Sequence, residues 1–311
     1  LAIMPSVAEA IRSLPPAVAA GYAPISGRPD FRKAVISDLL SELGLVDQAV
    51  GVATPGGSGA LRMSIDNFLE PGQTVLTSSY FWAPYRTLSD ESGRNLATFE
   101  MFTDEGRFNS EDFDRKLSEL LKSQGRALVL LNTPCHNPTG YSMDAEELDA
   151  LCEVLDRNAE KGPISIVLDI AYGYYAPDAL KLAVSKLAEK SDRVLTLFAW
   201  SASKSFLQYG ARVGSLVALV PDADERTRIL NALTYSCRGL WSNCNAGGMA
   251  AITRVLCEPD LSAQAKGERS ELAQMLSRRV GRWNELATAE GIEYPRYDGG
   301  FFTTVFCDEP K

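Results

Sequence analysis

Five short segments of the chain are almost continuously apolar. They cover residues 74–77, 126–131, 164–168, 193–199 and 213–220. A strand with one face in water alternates polar and apolar residues, whereas a strand covered on both faces does not. The pattern therefore predicts buried strands of a sheet that has helices on both sides.

Helical periodicity lies between these runs. In 110–123, Phe113, Leu117 and the pair Leu120/Leu121 recur at helical spacing, with Ser110 as the expected N-cap, and 144–155 repeats the pattern. Strands that alternate with helices are typical of an α/β fold with a mainly parallel, doubly wound sheet. A glycine-rich turn before residue 60 is expected to open a further helix, which runs through Phe68.

The last part of the chain departs from this rhythm. Residues 261–288 predict a long amphipathic helix, and the strand-like 301–306 follows Gly299-Gly300. At about 150 residues per domain, 311 residues correspond to about two domains. We therefore expect a large domain over 1–260 and part of a smaller α/β domain over 261–311.

Composition narrows the possible functions. The chain has 31 Lys and Arg against 40 Asp and Glu, a formal net charge of −9, which argues against nucleic acid or an anionic membrane as a partner. It has no apolar run long enough for a transmembrane helix, no signal segment, and six cysteines without zinc-ligand spacing. A cytoplasmic location is the simplest expectation.

The chain contains a single histidine, His136. A histidine-rich metal site is thereby excluded, no metal is expected, and a Ser-His-Asp hydrolase would have to use this one residue. The chemistry must depend on Lys, Asp, Tyr, Arg or a cofactor.

Two segments are suited to binding an anion or a polar ligand. Thr54–Arg62 is a glycine-rich turn before a helix, where bare backbone N–H groups and the Ser58 hydroxyl would bind a phosphate, although a tight turn without ligand fits equally well. Asn137, in Asn-Pro-Thr-Gly, follows strand 126–131 and could offer its amide to a ligand or simply form a turn.

Two further segments carry charge at the ends of apolar strands. Asp169 closes strand 164–168 and needs a cationic partner if it is buried, such as a protonated heterocyclic nitrogen, with Tyr172 close by. Lys204 follows strand 193–199, where it is suited to form a Schiff base unless it is a solvated loop lysine. Ser201, Ser203 and Arg212 beside it favour a phosphate. A phosphate cradle, a carboxylate for a ring nitrogen and a reactive amine together match the needs of pyridoxal phosphate.

With these motifs in order, the chain resembles the class I aminotransferases, which are fold-type I pyridoxal-phosphate enzymes. The resemblance rests on TPGGSGALR (54–62), CHNPTG (135–140), DIAY (169–172) and SASK-x7-R-x-G (201–214), and spans nearly the whole chain. It is strongest to the aspartate and aromatic amino-acid branch.

The resemblance implies a role for each cofactor residue. Lys204 would form the Schiff base with pyridoxal 5′-phosphate and shuttle the proton, and Asp169 would pair with the ring nitrogen. Tyr172 and Asn137 would bind the ring 3-oxygen, and Trp82 would stack on the ring or else belong to the core. The residues implied at the phosphate are Gly57, Ser58, Ser201, Ser203 and Arg212.

The resemblance also implies a homodimer with shared active sites. Tyr22, in GYAPISG, would reach the phosphate of the neighbouring subunit. Arg238, in CRGLWSN, would bind a distal substrate carboxylate across the dimer or serve a structural purpose. For His136, which sits beside Asn137, either a packing role or an indirect role behind the cofactor-binding residues is favoured.

The implied reaction is a ping-pong transfer of an amino group from an L-amino acid, aspartate or aromatic, to a 2-oxo acid such as 2-oxoglutarate. A lyase or decarboxylase of the same fold and a non-catalytic regulatory module are the alternatives, because a fold does not fix a function. The arginine that binds the substrate α-carboxylate in the family would fall beyond Lys311, and the N-terminal arm before Leu1. We therefore expect the sequence to be a fragment.

Overall fold

The computed structural model describes residues 2–190 and 193–307. In these ranges the strands are β1 Ala49–Pro55, β2 Thr74–Ser78, β3 Asn95–Phe99, β4 Ala127–Asn132, β5 Ile164–Asp169, β6 Leu195–Ser201 and β7 Val213–Leu219. The α-helices are α1 Pro5–Arg12, α2 Pro16–Ala19, α3 Pro29–Leu40, α4 Gly56–Phe68, α5 Pro84–Glu91, α6 Ser110–Gln124, α7 Ala145–Ala159, α8 Pro177–Ala188, α9 Ala202–Ser205, α10 Ala223–Leu240, α11 Ala246–Cys257 and α12 Pro259–Ala289.

The strands form one sheet in the order β1-β7-β6-β5-β4-β2-β3. All neighbours are parallel except β7, which runs antiparallel to both β1 and β6. The five predicted strands and the α/β class are confirmed, while β1 and β3 were not predicted.

The sheet is covered on both faces, as the apolar runs indicate. In β4, Leu128 and Leu130 pack into one apolar cluster, and Val129 and Leu131 pack into another. The first cluster includes buried residues of α4, α5 and α10, and the second includes buried residues of α3, α6, α7, α8 and α11. The polar ends of the central strands are thereby left as the part of the sheet that can bind a ligand.

Three predicted helices are present, and one of them begins one residue away from its predicted cap. The predicted helices 110–123, 144–155 and 261–288 correspond to α6, α7 and α12, but the N-cap of α6 is Asn109 and not Ser110. The Asn109 side chain accepts a hydrogen bond of 3.0 Å from the backbone N–H of Asp112. Ser110 is instead the first residue of the helix, so the prediction was off by one position.

The strand expected at 301–306 is absent, and these residues form no regular secondary structure. They lie as an irregular segment across the loop that contains Asn137, where the Thr304 hydroxyl donates to the carbonyl of Pro138 at 3.2 Å. The boundary expected at 260/261 falls in the first turn of α12, and the division into two domains stays a prediction. None of the helices in the described ranges has the length and apolar character required to cross a membrane.

Candidate active site

The four segments predicted to carry chemistry meet around one cavity of about 180 Å³. It is lined by Gly57, Ser58, Leu61, Trp82, Asn132, Asn137, Asp169, Ala171, Tyr172, Ser201, Ser203, Lys204 and Arg212. The carboxyl ends of β1, β4, β5 and β6 lie at this edge of the sheet, which is where open α/β sheets bind ligands. Because β7 is antiparallel, its amino end and the preceding Arg212 reach the same edge. A larger groove of about 550 Å³ between α3, α8 and α12 is lined by none of the predicted site residues.

One end of the cavity is built to hold an anion. Gly56 begins α4 with a φ of +75°, and no side chain of the described residues caps the first backbone N–H groups of this helix. The Arg212 guanidinium lies against this turn and donates to the carbonyl of Tyr209 at 2.8 Å and of Pro55 at 3.4 Å. A helix N-terminus with an adjacent guanidinium is a strong site for a phosphate.

The two serines complete this end. Ser201 closes β6 and is the N-cap of α9, where its hydroxyl accepts a hydrogen bond of 3.1 Å from the backbone N–H of Ser203. The Arg212 guanidinium also reaches the hydroxyl of Ser203 at 3.4 Å. A Cβ on Gly57 would be 3.4 Å from the Cβ of Ser201, so the turn and the serines are in close contact.

Lys204 projects from α9 and is half-buried. Its Nζ is 5.8 Å from the ring centre of Tyr172 and 5.4 Å from that of Tyr209. Among the described residues this amine makes no hydrogen bond or ion pair. Burial lowers the pKa of Lys204 and the charge of Arg212 adds to the effect, while the charge of Asp169 opposes it. The amine is therefore closer to the neutral, nucleophilic form than a solvated lysine would be.

Asp169 is a buried carboxylate at the end of β5. It accepts hydrogen bonds from the hydroxyl of Tyr85 at 2.9 Å and from the backbone N–H of Ala171 at 3.2 Å. Burial raises its pKa more than Tyr85, Ala171 and the charge of Lys204 lower it. In the described part of the chain it has no ion-pair partner, which is unfavourable for a buried carboxylate unless a ligand supplies a cation.

Asn137 and Tyr172 lie beside each other in the lining of the cavity. The Asn137 amide donates to the Tyr172 hydroxyl at 3.3 Å, and burial raises the pKa of Tyr172 to about 12. Asn132 connects this pair to Asp169, because its amide donates to the Asp169 carbonyl at 2.7 Å and its side-chain oxygen accepts from the backbone N–H of Asn137 at 2.6 Å. Sequence reasoning missed Asn132, although its position at the end of an apolar strand was a usable signal.

Trp82 and His136 have different surroundings. Trp82 lines the cavity, and its ring packs edge-on against that of Tyr85, with ring centres 5.8 Å apart and planes at 90°. His136 is buried outside the cavity lining, with Nδ1 2.8 Å from the Thr139 hydroxyl. Burial lowers the pKa of His136 to about 3, so it is neutral at physiological pH. These contacts agree with a packing role.

Tyr22 and Arg238 do not reach this cavity. They form a cluster on the surface with Ser242, in which Arg238 donates to the Tyr22 hydroxyl at 3.1 Å and to the Ser242 hydroxyl at 3.0 Å. The hydrogen bond with Ser242, together with Arg238, lowers the pKa of Tyr22. Both residues are exposed and would contact a ligand only if it were bound elsewhere or by another subunit.

The residues of the cavity fit pyridoxal phosphate. The cradle at Gly56–Ser58 and Arg212 matches the phosphate, the unpaired Asp169 matches a protonated ring nitrogen, and the unpaired Lys204 amine matches a Schiff-base partner. Asn137 and Tyr172 offer a donor pair for a ring oxygen.

Comparisons with known proteins agree with this geometry. The family model described as aminotransferase class I and II matches residues 2–311. An aspartate aminotransferase of Pseudomonas aeruginosa is 32% identical over 260 residues, which cover 81% of this chain and 63% of that enzyme.

Two solved structures are similar over most of the chain. An aminotransferase from Anaerococcus prevotii is 31% identical with a TM-score of 0.93, covering 98% of this chain and 75% of that one. An aromatic-amino-acid aminotransferase from Burkholderia pseudomallei, covalently bound to pyridoxal phosphate, is 27% identical with a TM-score of 0.80, covering 94% and 73%.

Proposed function

Because this chain belongs to the class I and II aminotransferase family, with pyridoxal 5′-phosphate as its cofactor, we propose that it transfers amino groups from an L-amino acid to a 2-oxo acid. Aspartate or an aromatic amino acid is the proposed donor, since the similar proteins carry those names. The chain spans about two thirds of the length of such relatives, so the activity is proposed for the protein that contains it.

One observation carries the proposal: an unpaired lysine amine and an unpaired buried carboxylate lie in the same cavity as an anion cradle. Lys204 and Asp169 have no ion-pair partner among the described residues, and burial shifts both toward their neutral forms. If this partly buried lysine and buried aspartate served only the structure, each would be expected to form an ion pair, with the other or with a third group. Their arrangement instead suits a ligand that carries a phosphate, a cationic nitrogen and a carbonyl carbon.

When bound, pyridoxal phosphate supplies a carbon that amines attack and a ring that accepts the electron pair left at the substrate Cα. Asp169 would hold a proton on the ring nitrogen and so maintain the electron demand of the ring. Asn137 and Tyr172 would bind the ring oxygen, and the residues of the cradle would hold the phosphate. Trp82 would cover one face of the ring.

Lys204 has two tasks in this proposal. Its neutral amine would hold the cofactor covalently, and its Nζ, when not bound to the cofactor, would take up and return the proton of the substrate Cα. Burial lowers the pKa of Lys204, which suits both tasks because each begins with the neutral amine.

A homodimer with shared active sites and a cytoplasmic location belong to the same proposal. Tyr22 and Arg238 are exposed and hydrogen-bonded to each other. This supports a role at the cavity of a neighbouring subunit, where Tyr22 would contact the phosphate. Arg238 would there bind a distal carboxylate of the substrate, as a guanidinium does well.

The test is the substitution Lys204→Ala, with Lys181→Ala as control, since Lys181 is exposed and pairs with Glu42. We expect the parent and the control to give a visible absorbance band with pyridoxal phosphate and to be labelled covalently after borohydride reduction, whereas Lys204→Ala shows neither. An unchanged band in Lys204→Ala would disprove the assignment.

The reaction type needs a second measurement. An amino acid supplied alone should convert the cofactor once, in equal amount to the protein, and a 2-oxo acid should restore it. Continuous turnover of the amino acid without any 2-oxo acid would exclude transamination as the main reaction.

A further inference from the structure

Tyr85 does not line the cavity but contacts Asp169, which does. It lies in α5 and is about 1% exposed, and its hydroxyl donates to Oδ2 of Asp169 at 2.9 Å. The two residues are 84 positions apart in the chain. The bond therefore joins α5, on one face of the sheet, to the end of β5.

The ring of Tyr85 has little freedom to move. Phe81 stacks on it with ring centres 6.5 Å apart and planes at 10°. Trp82 packs edge-on against it, with ring centres 5.8 Å apart. The backbone N–H of Tyr85 donates to the Trp82 carbonyl at 2.8 Å. The segment that presents Trp82 to the cavity therefore also fixes the direction of the Tyr85 hydroxyl.

The two oxygens of Asp169 have different donors. Oδ1 accepts from the backbone N–H of Ala171, and Oδ2 accepts from Tyr85. Burial and the charge of Asp169 raise the pKa of Tyr85 well above its usual value, so Tyr85 remains a hydroxyl donor. Its hydrogen bond in turn lowers the pKa of Asp169 against the effect of burial.

We propose that Tyr85 is a positioning residue for the cofactor: its hydroxyl fixes the orientation of the Asp169 carboxylate and favours its ionised form toward the ring nitrogen. This inference rests on the proposed function. Without the hydroxyl, the carboxylate would lose the one side-chain donor that it has in the described ranges and would protonate more readily. A protonated Asp169 binds a cationic nitrogen poorly.

The substitution Tyr85→Phe removes the hydroxyl and keeps the ring packing. The matched control is Tyr141→Phe, because Tyr141 is equally buried and its hydroxyl also donates to a buried carboxylate, that of Glu147, away from the cavity. For each protein the dissociation constant of pyridoxal phosphate, the absorbance spectrum of the bound cofactor and the Tm of the cofactor-free form are measured.

We expect Tyr85→Phe to weaken cofactor binding about tenfold, as loss of a hydrogen bond to a charged group does, and to change the absorbance spectrum. Tyr141→Phe should lower Tm and leave binding and spectrum unchanged. A Tyr85→Phe protein with a lower Tm but with the parent's affinity and spectrum would overturn the inference. If the parent protein itself gives no band with pyridoxal phosphate, the proposed function fails instead.

Discussion

A single backbone conformation determines where an anion can bind in this chain. Gly56 adopts a φ of +75°, which turns the end of β1 into the first turn of α4. A Cβ at this position would be 2.5 Å from Nη2 of Arg212. The glycine therefore provides both the positive φ and the space for the guanidinium that faces the cavity.

The substitution Gly56→Ala tests this point at the residue scale. Since the contact is with the far end of a flexible side chain, we expect the guanidinium to move away, with a strain of about 1–2 kcal/mol from the positive φ. Affinity for pyridoxal phosphate, followed by titration of its absorbance, should fall about tenfold because a charge-assisted bond to the phosphate is lost.

Gly210→Ala is the control for this change, because Gly210 lies in the same loop as Arg212 and its Cβ would contact nothing within 4 Å. It should bind the cofactor like the parent. Equal affinity in Gly56→Ala and Gly210→Ala would show that Arg212 does not depend on the glycine.

At the scale of elements, the sequence predicted what burial determines. All six residues of β4 are buried, and such strands are continuously apolar, so the central strands were found. β1 was missed because AVGVATP contains glycine and proline, which weaken the strand signal. Tyr85 was missed because its contact with Asp169 exists only after folding.

Strand direction and pairing were less accessible to sequence reasoning. Residues 202–212 connect β6 to β7 through α9, a helix of four residues. A parallel connection requires about a dozen or more residues, usually with a full helix, so the short link explains why β7 is antiparallel. The segment 301–306 has the composition of a strand but no neighbouring strand to pair with in the described ranges, and composition does not reveal such a partner.

The start of α7 gives the prediction that belongs to this scale. Glu147 forms a capping box with Asp144. Its carboxylate also accepts hydrogen bonds from the guanidinium of Arg296 at 3.0 Å and from the backbone N–H of Phe108 at 2.9 Å. Glu147 therefore joins the helix start to two other segments. Glu147→Ala should lower the free energy of unfolding by about 3 kcal/mol, because it leaves a guanidinium and several donors without their partner.

Burial raises the pKa of Glu147, but hydrogen bonds from Tyr141, Phe108, Asp144 and Arg296 outweigh it, and the net pKa is below the usual 4.5. Its stabilisation is therefore complete above pH 4.5 and is lost as the pH falls through the lower, folded-state value. Denaturant unfolding at neutral and acidic pH measures both effects.

Glu146→Ala is the control, since that side chain is 90% exposed and should change stability little. A loss of stability of equal size in both variants would contradict the role of Glu147.

At the scale of the whole molecule, α10 packs on β1 and α4 with one face and leaves the other face without a partner among the described residues. It buries only Leu233 and Cys237, while Tyr235 is 85% exposed and Leu240 39%. Arg238, which is hydrogen-bonded to Tyr22, lies in the last turn of the same helix. Exposed apolar residues bordered by hydrogen-bonded polar side chains are typical of an interface and agree with the proposed homodimer.

The substitution Tyr235→Asp places a charge on this surface, one helical turn before Arg238. In a homodimer with shared sites it should convert dimers to monomers in sedimentation analysis, because burying an unpaired carboxylate at an interface is unfavourable. Affinity for pyridoxal phosphate should fall with it, since each phosphate would lose the Tyr22 of the neighbouring subunit. Ser123→Asp adds the same charge to an exposed position of α6 and should change neither property. If Tyr235→Asp dissociates the dimer and the cofactor binds as before, the subunits associate through this surface but do not share their sites.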